Sequence, residues 1–353
     1  EYAHIERRKN MVSMKMIAER CKVSVATVSK ALSNREDIGE DTKNRIRQMA
    51  KELGYVPNVA ARALKTKHSY NIGVLFEEQA GSGLTHEYFS GVLNGLKLQI
   101  EQQHYDLTFI NTSFENSEMS YLDHARYRNF DGIAVICCDD YESTQVQELL
   151  KSDIPTVTVD YVHQNCTAVL SNNIKGMEDL VKYIYSQGHR RIAYIYGQVS
   201  SYVTKDRLAA FYRAAEELKL DIPGEYVREA QYMETKESAE ATKALLDLKN
   251  PPTCIIYPDD MALIGGRNVI TERGMTIPDD ISIAGYDGIR MSQLLHPKLT
   301  TIRQDTERIG REAGRRLIQS IETPKTALVE RVVIEGKLLT GQSVGRISPE
   351  TNN

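Results

Sequence analysis

The chain has 353 residues, of which 41% are hydrophobic and 26% charged, with a formal net charge of -4. This length predicts two or three domains, and no window approaches the ~20 consecutive apolar residues of a membrane span. The opening EYAHIERRKN has no apolar stretch behind its charges, so no secretory signal is expected. Five cysteines without a C-x-x-C pair favour a reducing compartment over a disulfide framework or a structural metal. We expect a soluble, cytoplasmic protein.

Charge is unevenly divided along the chain. Residues 1–70 hold 15 Lys and Arg against 8 Asp and Glu, a net of +7, whereas the remainder holds 29 against 40, a net of -11. A basic segment ahead of an acidic body predicts a polyanion-binding module. Chance clustering on a solvated face would give the same split, so charge alone leaves both interpretations open.

The basic segment predicts three short helices, roughly Lys15–Cys21, Val25–Leu32 and Glu40–Leu53. Ser24 can cap the second helix, and Gly54 follows the third as a left-handed cap. The run IAERCKVSVATVSKAL has the small and apolar positions of a tight helix-turn-helix. The second helix then exposes a small, polar and basic face, which suits a DNA major groove; a generic three-helix bundle is the alternative. Its outward residues are Val25, Ala26, Thr27, Ser29 and Lys30.

After Pro57 the pattern changes from a weakly apolar linker to strands alternating with amphipathic helices. Seven β-rich runs appear, in the order IGVLF, DLTFI, GIAVIC, PTVTVD, RIAYIYG, TCIIYP and SIAGYD. Buried parallel strands with helical crossovers have this rhythm. Seven such strands predict an α/β body of two lobes. A ligand cleft is expected at the carboxyl ends of the strands.

Five segments carry a resemblance to a known family. They read SMKMIAERCKVSVATVSKALSN, ELGYVPNVAARALKTKHSYNIGVL, KDRLAAFYRA, IPDDISIAGYDG and LTTIRQDTERIGREAGRRLI. In this order, from Val12 to about Gly345, the chain resembles the lactose/galactose repressor (LacI/GalR) family of bacterial transcription factors. The ten residues before Met11 fall outside the family pattern. The resemblance implies an all-α helix-turn-helix head joined to a periplasmic-binding-protein-like core of two parallel-sheet lobes.

The resemblance also implies domain bounds. The helix-turn-helix domain is expected at residues 12–57, a hinge helix and linker at 58–70, and an effector-binding and dimerisation core at 71–345. Within the core, the N-terminal lobe is expected at about 71–168 and 299–325, and the C-terminal lobe at about 169–298 and 326–345.

At the DNA end, the resemblance assigns base reading to Val25, Ala26 and Lys30, and contact with the DNA backbone to Ser13, Thr27, Ser29 and Asn34. In the hinge, Asn58 and Ala61 belong to the segment that approaches the minor groove. Leu64 matches the residue that is wedged between base steps there; ordinary interdomain packing is the alternative for this leucine. Gly39 departs from the family, which usually has a Ser cap at this position.

In the core, the resemblance places a sugar or nucleobase effector between the lobes. Arg207 matches the family's effector-binding arginine, with Asp287 and Asp160 as carboxylate ligands and Tyr232 as an aromatic that can stack on a sugar. Strand-end Asp residues that cap helices are the alternative for these carboxylates. Pro258 stands where many sugar-responsive relatives have an amide, so the effector cannot be copied from a relative. The remaining candidates at this cleft are Glu77, Phe89, Asn172, Asp259 and Gln304.

The expected function is a nucleoid-associated bacterial repressor of carbohydrate-utilisation genes, acting as a homodimer on a pseudo-palindromic double-stranded operator. The effector is expected to be a sugar; whether it releases or tightens DNA binding stays open, as does a protein co-repressor. No enzyme, cofactor, metal or membrane partner is expected: GQSVG at residues 341–345 fits G-x-S-x-G but has no downstream His to complete a triad. Two rival classes are a transporter's solute-binding protein and a sugar-converting enzyme on the same scaffold.

Overall fold

The computed structural model describes residues 12–56, 68–77, 83–114, 117–138 and 140–347. The chain divides into two compact units, residues 1–69 and residues 70–353. We call the first unit the head and the second the body. Most of the predicted hinge, residues 58–70, lies outside the described ranges.

The head is a three-helix unit built as the sequence predicts, from α1 (Met14–Cys21), α2 (Val25–Leu32) and α3 (Glu40–Leu53). Each helix sends one fully buried branched side chain into a shared core, namely Ile17, Val28 and Ile46. Burying each contributes roughly 1.5–3 kcal/mol. Small residues, three alanines and Cys21, fill the remaining buried positions, which lets the short helices approach closely.

Helix caps fix the turn between α1 and α2. The Ser24 hydroxyl accepts a hydrogen bond from the Thr27 amide at 3.0 Å, which confirms the predicted cap. Lys22 ends α1 in the left-handed region with φ of 53°. Gly39 begins α3 without a side-chain cap, and Gly54 ends it at φ of 68° as predicted. The left-handed Lys22 and the Ser24 cap therefore define where α1 ends and where α2 begins.

The body contains fourteen strands and eight longer helices among its described residues. In chain order the strands are β1 (Asn71–Phe76), β2 (Asp106–Phe109), β3 (Ser113–Phe114), β4 (Ser117–Glu118), β5 (Gly132–Cys137), β6 (Thr156–Val159), β7 (Thr167–Ser171), β8 (Ile192–Tyr196), β9 (Val227–Glu229), β10 (Cys254–Ile256), β11 (Ser282–Asp287), β12 (Thr300–Arg303), β13 (Arg331–Ile334) and β14 (Lys337–Leu339). The helices are α4 (Glu87–Glu101), α5 (Tyr121–Tyr127), α6 (Thr144–Leu150), α7 (Asn173–Ser186), α8 (Tyr202–Glu217), α9 (Thr235–Leu246), α10 (Ala262–Glu272) and α11 (Thr306–Glu322). All seven predicted runs form strands.

Two six-stranded sheets define two lobes. The first lobe has the parallel order β13-β7-β6-β5-β1-β2, and the second has the order β14-β12-β11-β10-β8-β9. Only β14 is antiparallel to its neighbour in the second sheet. Helices cover both faces of each sheet, with α4 and α11 against one face of the first sheet and α7 and α8 against one face of the second. This doubly covered arrangement explains why the strands read as continuous apolar runs.

The predicted lobe bounds were wrong at three strands, because the chain crosses between the sheets three times. The predicted bound at 168/169 cuts through β7, which lies entirely in the first sheet. β12 falls in the predicted N-terminal lobe but pairs with β11 of the second sheet, and β13 falls in the predicted C-terminal lobe but pairs with β7 of the first. These strands join through non-local pairing, which local sequence does not encode.

Two helices of the first lobe touch at glycines. A Cβ atom at Gly310 of α11 would lie 1.9 Å from the Val92 carbonyl oxygen of α4, and one at Gly95 would lie 2.2 Å from the Glu307 carbonyl oxygen. No real Cβ contact is that short, so the backbones of α4 and α11 can approach this closely only without side chains at these positions. This contact anchors α11, and with it the crossing segment that precedes it, to the first lobe.

Candidate functional site

The exposed face of α2 carries the predicted base-reading residues. Val25 is 45% exposed, and Ala26 and Lys30 are also exposed, whereas Val28 and Ala31 are buried on the opposite face. A large exposed aliphatic beside a lysine is available for contact with a thymine methyl group and with polar base edges. The structure therefore places all three residues on one open surface of the head.

Lys30 has a partner that sequence reasoning missed. Its Nζ atom donates to Asp37 Oδ2 at 2.5 Å, and both side chains are about half exposed. The hydrogen bond from Lys30 is the main cause that lowers the pKa of Asp37. The ammonium group has three N–H donors, and this ion pair occupies one of them and holds a negative charge beside the lysine.

The predicted backbone-contacting residues are tied into local structure. Ser13 caps α1 by accepting from the Met16 amide, and the Thr27 hydroxyl lies 2.8 Å from that of Ser24. Asn34 lies in the left-handed region and accepts from Arg47 Nη2 at 2.7 Å. Ser29 is half-buried on α2. The hinge candidates Asn58, Ala61 and Leu64 lie outside the described residues.

In the body, a cavity of about 490 Å³ opens between the two lobes at the carboxyl ends of the central strands. Seven of the nine predicted residues line it. Those from the first lobe are Phe89 and Asp160, those from the second are Arg207, Tyr232, Asp259 and Asp287, and Gln304 stands on the segment that crosses from β12 to α11. The volume lies in the range of about 300–1,000 Å³ that is typical of small-molecule sites.

Two predicted residues do not line the cavity. Glu77 follows β1 and accepts from the Tyr121 hydroxyl at 2.8 Å. Asn172 caps α7 by accepting from the Lys175 amide at 3.1 Å. The next residue, Asn173, is the one whose side chain reaches inward and bonds to Arg207. A shift of one residue at the helix start is enough to exchange the two roles.

Arg207 is the buried cation at the centre of the site, with 3% of its surface exposed. Its Nε donates to Asn173 Oδ1 at 2.8 Å and its Nη1 to the Pro258 carbonyl at 3.0 Å. Its guanidinium lies 3.5 Å from the centre of the Tyr286 ring. Its Nη2 is 3.9 Å from Asp287 Oδ1, too long for a hydrogen bond. The guanidinium is therefore held rigidly while N–H donors remain for a ligand.

Asp160 and Asp287 end strands in a backbone conformation that side chains other than glycine rarely adopt. Their φ angles are 53° and 95°, and such geometry concentrates at functional sites. Asp287 accepts from Gln304 Nε2 at 2.7 Å, and Asp160 accepts from the Tyr88 hydroxyl and from the Ser171 amide. Burial is the main cause that raises the pKa of Asp160. Both carboxylates are aimed at the cavity by strained turns and by fixed donors.

Asp259 lines the cavity, but its carboxylate oxygens already accept hydrogen bonds from backbone amides. One of its oxygens accepts from the Met261 and Ala262 amides at 2.8 and 2.7 Å, and the other from the Met233 amide at 2.7 Å. Burial raises its pKa to about 6. This carboxylate caps α10 and ties the segment after β9 to it, as the alternative interpretation of strand-end Asp residues expects.

Tyr232 is held against the backbone of the second lobe. Its hydroxyl lies 2.8 Å from that of Thr204. A Cβ atom at Gly197 would lie 2.2 Å from the Tyr232 ring, so the ring fits only because this residue is glycine. Tyr232 thereby forms a flat apolar wall of the cavity, as its predicted stacking role requires.

Sequence reasoning missed several lining residues. His86 is 7% exposed, and neither ring nitrogen has a hydrogen-bond partner within the described ranges. Three further residues form a tyrosine cluster, which we define as Tyr141, Tyr161 and Tyr202. Tyr161 directly follows strand-end Asp160, and Tyr202 is the first residue of α8. Position after a strand end is the signal that could have found Tyr161.

Over the described ranges, no group of three or more His, Cys, Asp or Glu side chains is arranged to hold a metal ion. No helix within the same part of the chain is long and apolar enough to cross a membrane.

Known proteins match both units. Residues 13–58 match the family described as "Bacterial regulatory proteins, lacI family", and residues 181–344 match "Periplasmic binding protein-like domain". The protein named "Probable HTH-type transcriptional repressor ExuR" of Bacillus subtilis (strain 168) is 30% identical over 340 residues, covering 96% of this chain and 100% of its own. "HTH-type transcriptional repressor PurR" of Mannheimia succiniciproducens is 28% identical over 343 residues, covering 96% and 100%.

Solved structures share the fold. The lac repressor dimer bound to operator and the anti-inducer ONPF has a TM-score of 0.79 at 22% identity, covering 95% of this chain and 99% of that one. The transcriptional regulator CelR in complex with cellobiose has a TM-score of 0.67 at 22% identity, covering 94% and 99%.

The two family matches, one in the head and one in the body, place the chain in the class of bacterial DNA-binding regulators. The chain belongs to the lacI family of bacterial regulatory proteins. It is a transcriptional repressor and not an enzyme, as its relatives are.

Proposed function

We propose that this protein represses carbohydrate-utilisation genes in the bacterial cytoplasm and responds to a small sugar-like molecule bound in the central cavity. The observation that carries the proposal is the pairing of Arg207, with N–H donors to spare, and Asp287, held by Gln304. A donor and an acceptor side by side can bind neighbouring hydroxyls. Aromatic Tyr232 and Phe89 supply faces on which a sugar ring stacks.

At the DNA end, α2 enters the major groove of each half-site of a pseudo-palindromic operator, and two copies of the chain form a homodimer that spans it. Val25, Ala26 and Lys30 read bases. The residues that hold the DNA backbone are Ser13, Thr27, Ser29 and Asn34. In the hinge, Asn58 and Ala61 approach the minor groove and Leu64 wedges between base steps.

The two ends communicate through a two-state equilibrium. The effector binds one arrangement of the lobes more tightly, and this arrangement differs from the other in whether the hinge segments can pair on DNA. The effector can shift this equilibrium by no more than the difference between its binding free energies for the two states.

The test begins with selection of operator sequences from randomised duplex DNA by the full chain. The expected winner is a palindrome with half-sites about one helical turn apart and a flexible central step. Leu64→Gly should lose most of the affinity for this site, because the wedge that stabilises the kink is gone. Sequence-blind binding that disappears with salt would refute the proposal, since it indicates electrostatic attraction alone.

Ligand addition then reports the second half of the proposal. Sugars are titrated into the complex with the selected operator, and the affinity for DNA is followed. Release identifies the ligand as an inducer, and tightening identifies it as a co-repressor. A response to nucleobases alone would refute the carbohydrate assignment while leaving the repressor assignment intact.

A further inference from the structure

The charged side chains around the cavity are strongly unbalanced. One guanidinium, that of Arg207, and one imidazole, that of His86, stand against seven carboxylates. Burial raises the pKa values of Asp160 and Asp259, yet five carboxylates remain when these two are set aside. The seven are Asp140, Glu142, Asp160, Glu234, Glu237, Asp259 and Asp287.

Arg207 keeps N–H donors for a ligand, but its single positive charge is too small to offset this excess around an anionic ligand. That charge also lies 3.9 Å from the carboxylate of Asp287. A carboxylate or phosphate on the ligand would be desolvated beside like charges, which opposes binding. Lys205 stands 5.0 Å from the centre of the Tyr202 ring but does not line the cavity. The excess of carboxylates around the cavity therefore opposes an anionic ligand.

Two buried side chains at the cavity have polar atoms without a hydrogen-bond partner among the described residues. Gln304 is 6% exposed, and its Oε1 atom has no partner among the described residues, while its Nε2 donates to Asp287. Both ring nitrogens of His86 also lack a hydrogen-bond partner within the described ranges. A buried polar group without a partner is costly, so these atoms point to a ligand that supplies donors and acceptors. Hydroxyl groups do both.

The tyrosine cluster marks a second region of the same cavity. Tyr141 and Tyr161 are stacked with ring centres 4.0 Å apart, and Tyr202 meets Tyr161 edge to face at 5.3 Å. Tyr202 is 42% exposed and lies five residues before Arg207 on α8. A helix rises about 1.5 Å per residue, which separates the two along the axis by roughly 7.5 Å. Five residues also turn a helix by roughly 140°, so Tyr202 and Arg207 leave α8 in different directions and line different parts of the cavity wall.

We infer that the effector is an uncharged glycoside of at least two sugar rings, with one ring bonded to Arg207, Asp287 and Gln304 and the next stacked on the tyrosine cluster. This inference rests on the proposed sugar-responsive function. It names the charge and the size of the ligand. Uronic acids, sugar phosphates and single sugar rings are poor ligands, because the first two meet the carboxylates and the third leaves the tyrosines unused.

Calorimetric titration of the full-length protein tests the inference. The probes are maltose, cellobiose, lactose, melibiose, xylobiose and mannobiose, each beside its component monosaccharides, the corresponding uronic acids and the 6-phosphates of its hexoses. At least one neutral disaccharide should bind about tenfold or more tightly than its monosaccharides and its acidic counterparts. A uronic acid, a sugar phosphate or a monosaccharide that binds as tightly as every disaccharide would overturn the inference.

A variant pair on α8 locates the second ring. Tyr202→Ala should weaken the disaccharide about tenfold and change the binding of its monosaccharide by less than about twofold. Tyr212→Ala is the matched control, since Tyr212 lies on the same helix at 45% exposure and does not line the cavity. Equal losses for disaccharide and monosaccharide in Tyr202→Ala would refute the second-ring position.

The outcomes separate the inference from the proposed function. If single-ring or acidic sugars bind best and shift operator affinity, the inference fails and the sugar-responsive repressor stands. If no carbohydrate of the panel binds while the protein still selects its operator, both the inference and the carbohydrate part of the proposed function fail.

Discussion

Lys30 and Asp37 form an exposed ion pair on the surface that is proposed to face DNA. Exposed pairs stabilise proteins little, by about 0–1 kcal/mol, so the pair can open at small cost. Asp37→Asn should therefore tighten operator binding several-fold, because it releases the ammonium and removes a negative charge near the phosphates. Fluorescence anisotropy with labelled operator measures the change.

The control for that variant is Glu36→Gln, which removes the same charge one residue away. It should tighten binding less than Asp37→Asn does. Equal effects of the two substitutions would mean that charge alone matters and that the contact between Lys30 and Asp37 does not restrain the lysine.

Asp259 makes stability depend on pH. Burial raises its folded-state pKa to about 6, above the ordinary 3.8. The folded protein therefore binds more protons than the unfolded chain between these values, and its stability falls as pH rises through them. The contribution is complete below about pH 4 and is lost as pH passes about 6.

Asp259→Asn should remove this dependence, since an amide does not titrate in that range. The free energy of unfolding of the original protein, relative to Asp259→Asn, should decline between pH 4 and pH 6.5 in urea titrations. Asp221→Asn, at an exposed carboxyl, serves as the control. A relative stability that rises over the same interval would show that the folded-state pKa is lowered instead.

At the scale of elements, the contact between α4 and α11 opposes ordinary helix propensity. Alanine in a helix interior is normally favoured over glycine by about 1 kcal/mol. Gly310→Ala should instead destabilise the protein by about 1–3 kcal/mol, because its Cβ would lie 1.9 Å from the Val92 carbonyl oxygen and the helices would have to separate. Chemical denaturation gives the difference.

Gly224→Ala is the comparison for that variant, since a Cβ there meets nothing within 4 Å. It should leave stability nearly unchanged. If Gly310→Ala were as stable as the original protein, the close approach of the two helices would not be a constraint on the first lobe.

Helix ends and buried strands could be predicted because the residues that determine them are neighbours in the sequence. The bounds of α2 and α3 were predicted correctly because caps such as Ser24 and Gly54 are written in neighbouring residues. The seven apolar runs could be predicted as strands because each is a short, continuous stretch of apolar residues. β13 is only four residues long and has mixed burial, and it pairs with a strand more than 150 residues away, so local patterns do not reveal it.

At the scale of the whole molecule, the position of the cleft could be predicted from the sequence, but only some of the residues that line it could. Parallel strands place their carboxyl ends at one edge of each sheet, which predicted where the cleft lies. The family resemblance placed Asp160 and Asp287 in this cleft, and both line the cavity. The exchange of Asn172 for Asn173 could not be foreseen, because it depends on the helix rotation at a single residue. The partnerless nitrogens of His86 appear only when all elements are packed.

Control of operator binding by a ligand in the cavity can be tested by one comparison of affinities. Affinity for the selected operator is determined with and without the tightest sugar of the panel, in the original protein and in Arg207→Lys. Lysine keeps the charge but loses the fork that bonds to Asn173 and Pro258. Arg213→Lys, on the exposed face of the same helix, is the control.

We expect the sugar to shift operator affinity about 5- to 150-fold in the original protein and in Arg213→Lys. In Arg207→Lys the shift should disappear while operator binding without sugar is retained. An equal shift in Arg207→Lys, or no shift in any of the three proteins, would show that a ligand held by Arg207 does not control operator binding.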